Sequence, residues 1–337
     1  MNPPKTPSAE PILVTGGAGY IGSHVVRDLG EKGYFPVVLD DLSSGHAEAL
    51  LCGELVRGDV GDTERVGALI RARGIRRVLH FAAFIQVEES VVKPLKYYEN
   101  NSCNCLRLLK ACLANGVESF IFSSSAAVYG IPGKVPVAET APLLPINPYG
   151  ASKLVSEMLL RDAAAAHPGF RYVALRYFNA AGADRLARLG QDYRKPTHLL
   201  TRALKTALGR FPRLEVFGDD YPTADGTAVR DYIHVDDLSS AHLKALEYLE
   251  KGGESRAFNC GYGVGHSVLD VVAAARRVTG IDFPVAHAAR RPGDPAALVA
   301  DAGLIRRELG WAPPVPALDE IVASAWKWEK KLAARAK

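Results

Sequence analysis

The chain has 337 residues, and its 41 Lys+Arg against 37 Asp+Glu give a formal net charge of +4. That length exceeds one average domain, and 48% hydrophobic with 23% charged residues are ordinary globular values that exclude disordered and fibrous classes. With no basic run or stripe there is no electrostatic case for nucleic acid, so any bound anion must be small and held by a few placed arginines.

The opening MNPPKTPSAE holds three prolines and no apolar core, and residues 1–10 are expected to be a disordered tail. From there to residue 180 short apolar runs alternate with amphipathic stretches. Strands are expected at Pro11–Thr15, Pro36–Asp40, Glu54–Gly58, Arg76–Ala82, Ser119–Ser124 and Tyr172–Tyr177, and helices at Tyr20–Lys32, Thr63–Arg73, Leu95–Asn115 and Tyr149–Ala166. Runs such as VLHFAA and FIF are apolar without alternation, as a sheet covered on both faces requires. The pattern predicts an α/β fold with a doubly wound, parallel, Rossmann-type sheet over residues 11–180.

Beyond Asn179 the rhythm breaks into Gly-, Pro- and charge-rich segments (FGDDYPTADGT, ARRPGDP) with a helix expected at His266–Val278. Residues 181–337 read as a smaller mixed α/β lobe, with some exchange of strands and helices between the lobes and a cleft at the carboxyl ends of the strands. The uncharged stretch Ser119–Gly133 is broken by serines, Gly130, Pro132 and Gly133, and is too short and polar to span a membrane. Five cysteines without a CxxC pair fit reduced thiols in a cytoplasmic protein.

After the first strand comes Gly16-Gly17-Ala18-Gly19-Tyr20-Ile21-Gly22, which leads into a helix. Residues lacking Cβ permit a tight turn and close backbone approach, and the helix start offers N–H groups to a pyrophosphate. Asp40 ends the next strand, where a carboxylate accepts hydrogen bonds from both adenine-ribose hydroxyls and repels a 2′-phosphate. Asp41 follows, and no Arg or Lys appears before Arg57, so NAD is favoured over NADP. Asp59 is a second candidate, placed near the adenine.

Tyr149 and Lys153 stand at i and i+4 on one helix face, and Ser123-Ser124-Ser125 end a strand upstream. A free phenol, with a pKa near ~10, is a poor base at neutral pH. A nearby ammonium and a cationic nicotinamide ring favour its phenolate. Tyr149 can then remove a hydroxyl proton while hydride leaves the same carbon, with Ser125 bonded to the reacting oxygen and Lys153 on the nicotinamide ribose.

TGGAGYIG, SSSAAVYG and YGASK together resemble the extended short-chain dehydrogenases. HFAAFIQVEESVVKPLKYYENN, LRYFNAAGA, THLL, VFGDDYPTADGTAVRDYIHVDDL, GVGHSVLDV and RRPGDPAALVAD sharpen the resemblance to the UDP-galactose 4-epimerases. It implies reversible epimerisation of UDP-glucose and UDP-galactose at C4, through a 4-keto intermediate and tightly bound NAD. The implied NAD site comprises Gly16, Gly19, Tyr20, Ile21, Gly22, Asp40, Asp41, Leu42, Ser43, Ser44, Gly45, Asp59, Val60, Phe81, Ala82, Ala83, Asn100, Ser123, Tyr149, Lys153 and Phe178. The implied UDP-sugar site comprises Ser125, Tyr149, Asn179, His198, Leu199, Phe217, Arg230, Tyr232, Arg291 and Asp294. Arginine forks suit a diphosphate. The resemblance further implies a homodimer through a four-helix interface built from Leu95–Asn115 and Tyr149–Ala166.

Three positions depart from the family pattern: Ile85 replaces a lysine against the NAD pyrophosphate, Thr197-His198-Leu199 replaces Asn-Asn-Leu, and Leu298 stands where bulk gates N-acetylated sugars. Ala126 and Ala127 stand where related dehydratases and decarboxylases carry acids, which favours epimerisation. The alternatives left open are a net nucleotide-sugar dehydrogenase, an epimerase of UDP-N-acetylglucosamine or a UDP-pentose, and a non-enzymatic NAD-sensing protein. No metal site is expected, Cys103, Cys105 and Cys112 reading as buried thiols, and His80 and His234 as packing and helix-entry residues.

Overall fold

The run PILVT has no polar alternation and needs cover on both faces; it forms β1 (Pro11–Thr15), an interior strand of the main sheet. The computed structural model describes residues 9–291 and 293–335, so residues 1–8 of the expected tail lie outside it. In chain order β1 is followed by α1 (Tyr20–Glu31), β2 (Phe35–Asp40), β3 (Glu54–Arg57), α2 (Thr63–Arg73), β4 (Arg77–His80), α3 (Val87–Val92) and α4 (Pro94–Tyr97). Next come α5 (Asn104–Ala114), β5 (Ser119–Ser125), α6 (Pro148–Ala166), β6 (Arg171–Tyr177), β7 (Asn179–Ala181), α7 (Leu199–Ala207), β8 (Leu214–Phe217) and β9 (Val229–His234). The remainder is α8 (Val235–Glu250), β10 (Arg256–Cys260), β11 (Gly265–Ser267), α9 (Val268–Thr279), β12 (Val285–Ala288), β13 (Ala297–Leu298), α10 (Gly303–Leu309) and α11 (Leu318–Arg335).

Seven strands pair in the order β3-β2-β1-β4-β5-β6-β10, every neighbour parallel. The expected Rossmann-type sheet is therefore present. The chain winds outward from β1 to β3, then returns to the other side of β1 as β4, which opens a crevice between their carboxyl ends. The last strand, β10, comes from beyond residue 180 in a short run, RAFNC, that carries little signal of its own. Strands β7, β11 and β13 gather on β9, and β8 pairs with β12.

One hydrophobic core joins α1 and α8 on one sheet face to α7, α9 and α11 without a break. A second core packs α2, α5 and α6 on the opposite face. The expected long helix Leu95–Asn115 is instead three pieces: α4, a π-helical segment Tyr98–Cys103, and α5. The irregularity has a cause, since Asn101 within it bonds Phe84 O and Ser152 Oγ, each at 3.0 Å, tying the loop after β4 to α6. The expected helix at His266 begins two residues later, because Ser267 and Asp270 form a reciprocal capping box. His234 caps α8 as a helix-entry residue, its ring accepting from Asp236 N at 3.1 Å.

Three histidines are sealed in this interior. Burial pushes His24 and His242 down to about 4, and burial with the Lys153 charge pushes His80 down to about 3. His80 bonds Thr15 Oγ1 at 2.7 Å between β4 and β1. Below the ordinary histidine value the unfolded chain takes up protons that these folded sites refuse, so stability is lost as pH falls from about 6.5 toward 4. Glu329 works in the opposite direction, burial raising its carboxyl to about 7, but it stands against these three and His198, which burial also lowers to about 4. The melting temperature is expected to fall by several degrees between about pH 7.5 and about pH 5; a scanning calorimetry series with a flat or rising trend would contradict this.

Candidate active site

The glycine turn sits where β1 and β4 part. Gly16 has φ +71°, and a Cβ there would lie 2.5 Å from Ala82 N and 2.9 Å from Phe81 C. Gly22 on α1 is equally confined, with 2.4 Å from a built Cβ to Gly16 O. Gly19, by contrast, meets only Gly16 O at 3.2 Å, and it starts α1 with no side-chain cap. The first N–H groups of α1 are thus left for an anion, and the backbone can be approached closely, as a dinucleotide pyrophosphate requires.

Asp40 closes this turn from the side. Its Oδ2 accepts from Ala18 N and its Oδ1 from Leu42 N, both at 2.9 Å, while burial raises its carboxyl against these two bonds. Leu42 takes the left-handed region at φ +62°, and Asp41 Oδ1 accepts from Ser43 N at 2.8 Å. Ser44 and Gly45 complete the loop, a built Cβ on Gly45 lying 2.8 Å from Ala18 C. Phe81, Ala82 and Ala83 leave β4 directly opposite Gly16. Asp59 accepts from Gly61 N at 2.7 Å and from Asn104 Nδ2 at 3.4 Å, so Asp59 and Val60 after β3 meet the start of α5. Asn100 lies in the π-helical segment and donates to Asn101. Phe178 follows β6, packed near Leu298. These residues fit NAD: an uncapped helix start for phosphates and a carboxylate at the ribose position.

Ser125 ends β5 and accepts from Ala127 N at 3.2 Å, starting the turn Ala126–Tyr129. Asn147 caps α6 through Gly150 N at 2.8 Å, with Pro148 in the first turn, and this fixes where Tyr149 enters the helix. The Tyr149 phenol is raised by burial, with the Ser125 hydroxyl beside it acting in the opposite sense. Lys153 is buried; its Nζ donates to Ser123 O at 2.8 Å and lies 5.0 Å from the Phe122 ring centre. Burial lowers Lys153 to about 8, and Cys105 and Glu157 resist that fall. The lowered phenol foreseen from the sequence is not a property of the protein alone. Desolvation dominates here, and the cationic ring that would favour phenolate belongs to the cofactor.

Across the crevice, β9 presents Arg230 and Tyr232 on one side. Arg230 is paired with Asp294 and donates to Val229 O at 2.7 Å. The other face of β9 turns Asp231 inward, where Tyr262 N, Gly263 N and Ala300 N bond its carboxylate. Arg291 stacks 3.9 Å over the Phe217 ring and pairs with Glu88 of α3 at 2.7 Å. Asn179, Tyr232, His198 and Leu199 share one cavity with Tyr20, Gln191, Trp328 and Glu329. His198 stacks on Tyr193, its Nδ1 buried without a partner, and burial lowers it to about 4.

Several residues here escaped the sequence reading. Tyr177 bonds Ser123 Oγ, and both Tyr177 and Tyr193 feel the Tyr149 phenol. Asn101 and the buried pair Glu157–Arg176 (2.6 Å) brace the site from behind. Only Glu157 left a trace, two helical turns after Tyr149 on the same face.

Residues 12–261 match the model of the NAD dependent epimerase/dehydratase family. The chain is 53% identical over 329 residues to the UDP-glucose 4-epimerase of Azospirillum brasilense, covering 97% of this chain and 94% of that one. Among solved structures, UDP-glucose 4-epimerase from Brucella ovis in complex with NAD superposes with a TM-score of 0.91 at 47% identity, covering 95% and 98% of the two chains. The enzyme from Stenotrophomonas maltophila, with bound NAD and formylated UDP-arabinopyranose, gives 0.93 at 42% identity, covering 97% and 100%.

Gly22→Ala places a methyl against Gly16 O and Gly17 Cα, at 2.4 and 2.8 Å, so the turn must open. The variant is expected to purify with at least ~10-fold less bound dinucleotide while staying folded. Ultraviolet absorbance and circular dichroism check this; a full complement of cofactor would refute it.

Proposed function

The chain belongs to the NAD dependent epimerase/dehydratase family, and from that premise we propose that it inverts C4 of the hexose in UDP-glucose and UDP-galactose. The observation that carries this reading is Tyr149 beside Ser125 and Lys153 at the crevice, with Ala126 and Ala127 in place of any further proton donor. NAD supplies a hydride acceptor that returns the same hydride, so no cofactor is consumed.

The chain's own residues perform the rest. Tyr149 takes the C4 hydroxyl proton as hydride leaves that carbon, and returns it to the opposite configuration once the 4-keto sugar has turned over. Ser125 holds the reacting oxygen, and Lys153 supplies a buried positive charge that favours the phenolate. Asp40 holds the adenine ribose, and the start of α1 holds the pyrophosphate. Arg230, Arg291 and Asn179 grip the UDP portion, with Phe217, Leu199, Tyr232, His198 and Asp294 around it. In this division residues 11–180 carry the cofactor with help from α8 and β10, and residues 181–337 carry most of the nucleotide-sugar contacts. Leu298 packs among Val128, Tyr129 and Val137 beside the site.

Tyr149→Phe is expected to lower kcat for UDP-galactose by about 10³-fold with cofactor still bound. Full turnover by this variant would sink the assignment.

The protein is further read as a homodimer acting in cytoplasmic galactose metabolism, its five cysteines being free thiols. Among the described residues no helix is long and apolar enough to cross a membrane. Helices α5 and α6 leave Leu106, Val155 and Met158 exposed, and Val92 and Leu95 nearby are 78% and 79% exposed, a surface suited to pairing with a second copy. Sedimentation is expected to give twice the chain mass, and Met158→Glu to shift it toward one; a wild-type mass of one chain would end this reading.

A further inference from the structure

Tyr149, Lys153 and Glu157 follow one another at four-residue steps along α6, so they form a single file down one face. Each meets a member of the serine triplet that ends β5. Tyr149 meets the Ser125 hydroxyl, Lys153 Nζ donates to Ser123 O at 2.8 Å, and Glu157 Oε1 accepts from Ser124 Oγ. Behind Glu157, Arg176 of β6 donates through Nε at 3.0 Å and Nη2 at 2.6 Å. Arg176 Nη1 then donates to Tyr129 OH at 3.0 Å, and that hydroxyl donates to Asn259 Oδ1 at 2.7 Å. Ser124, Glu157, Arg176, Tyr129 and Asn259 are all buried.

We propose that Glu157 is a positioning residue for the chemistry at Tyr149: it locks the strand end bearing Ser125 to the helix bearing Tyr149 and Lys153, and its charge holds Lys153 as an ammonium in a buried place. The inference rests on the reading of Ser125, Tyr149 and Lys153 given above. A buried lysine tends to lose its proton, and an acid one helical turn away counters that tendency. Burial lowers Lys153 to about 8 even with this support. The groups that bear on Lys153 and Glu157 from neighbouring elements are few. They are Cys105 of α5, His80 of β4, Arg176 and Tyr172 of β6, and Tyr129 of the turn after β5. Cys105 and His80 are buried and uncharged at neutral pH, the first because burial raises its thiol to about 11 and the second because burial lowers its ring to about 3. Arg176 is committed to Glu157. Glu157 is therefore the carboxylate supporting the Lys153 charge among the described residues bearing on it.

The test uses the NAD-loaded protein and follows reduction of bound NAD by UDP-galactose in single turnovers across pH. Glu157→Gln is expected to move the alkaline limb of the rate down by about one pH unit. The same shift is expected in Glu157→Gln/Arg176→Met, which leaves no unpaired buried charge, and is absent from Arg176→Met alone. Ser124→Ala, which cuts the tie to the strand while leaving the ion pair intact, is expected to slow the step about 10-fold at unchanged KM and unchanged limb. A folded double variant with the wild-type limb, or Ser124→Ala at the wild-type rate, overturns the proposal. If the Gln variants fail to fold, Ser124→Ala decides alone. Tyr149→Phe and Lys153→Ala run alongside. Normal turnover in those two would defeat the site assignment itself, whereas their inactivity with wild-type behaviour in the others defeats only the role of Glu157.

Discussion

The packing of one helix against the end of one strand governs this protein. α6 meets β5 through a hydroxyl, a carbonyl and a second hydroxyl, each opposed by a different side chain of the helix. A slip of α6 by one residue would pair none of them, because successive helix positions are turned roughly 100° from one another. The proposed catalytic arrangement is therefore a register, held by a buried acid–arginine pair and a capped helix start. Buried ion pairs contribute little net stability, but breaking one is costly, which suits them to fixing geometry. The network from Ser124 to Asn259 ties that register to β10 at the sheet edge.

The two segments that differ in sequence rhythm share an interior. Apolar residues of α1 and α8 continue into those of α7, α9 and α11 without a polar seam. Opening the cleft by a hinge would expose part of that core, at a free-energy cost proportional to the apolar area bared. The walls of the crevice are thereby set when the chain folds.

Much of this was legible in the sequence. Apolar runs without alternation announced the parallel sheet, and β1 and α2 fall on their expected residues. The glycine spacing marked the turn, and Asp40 marked its carboxylate, because both are short-range requirements of backbone geometry and charge. What stayed hidden depends on long-range contacts. β10 is a five-residue run whose place in the sheet is decided by β6, more than 75 residues earlier in the chain. The π-helical segment carries Asn101, which reaches Phe84 and Ser152, partners that no local pattern reveals. The residues proposed to hold the UDP-sugar, apart from their family resemblance, come from seven separate segments and show no periodicity. The raised Tyr149 phenol was missed because burial, unlike spacing, is a property of the folded chain.

Asp40 joins two duties that a designer would prefer to keep apart. The carboxylate proposed to discriminate between dinucleotides is also the clasp that fastens the glycine turn to the loop beginning at the left-handed Leu42. Exchanging it for a residue without a side-chain acceptor, an alanine or an arginine, would release both backbone anchors together. One side chain thus couples the fastening of the glycine turn to the charge presented beside it.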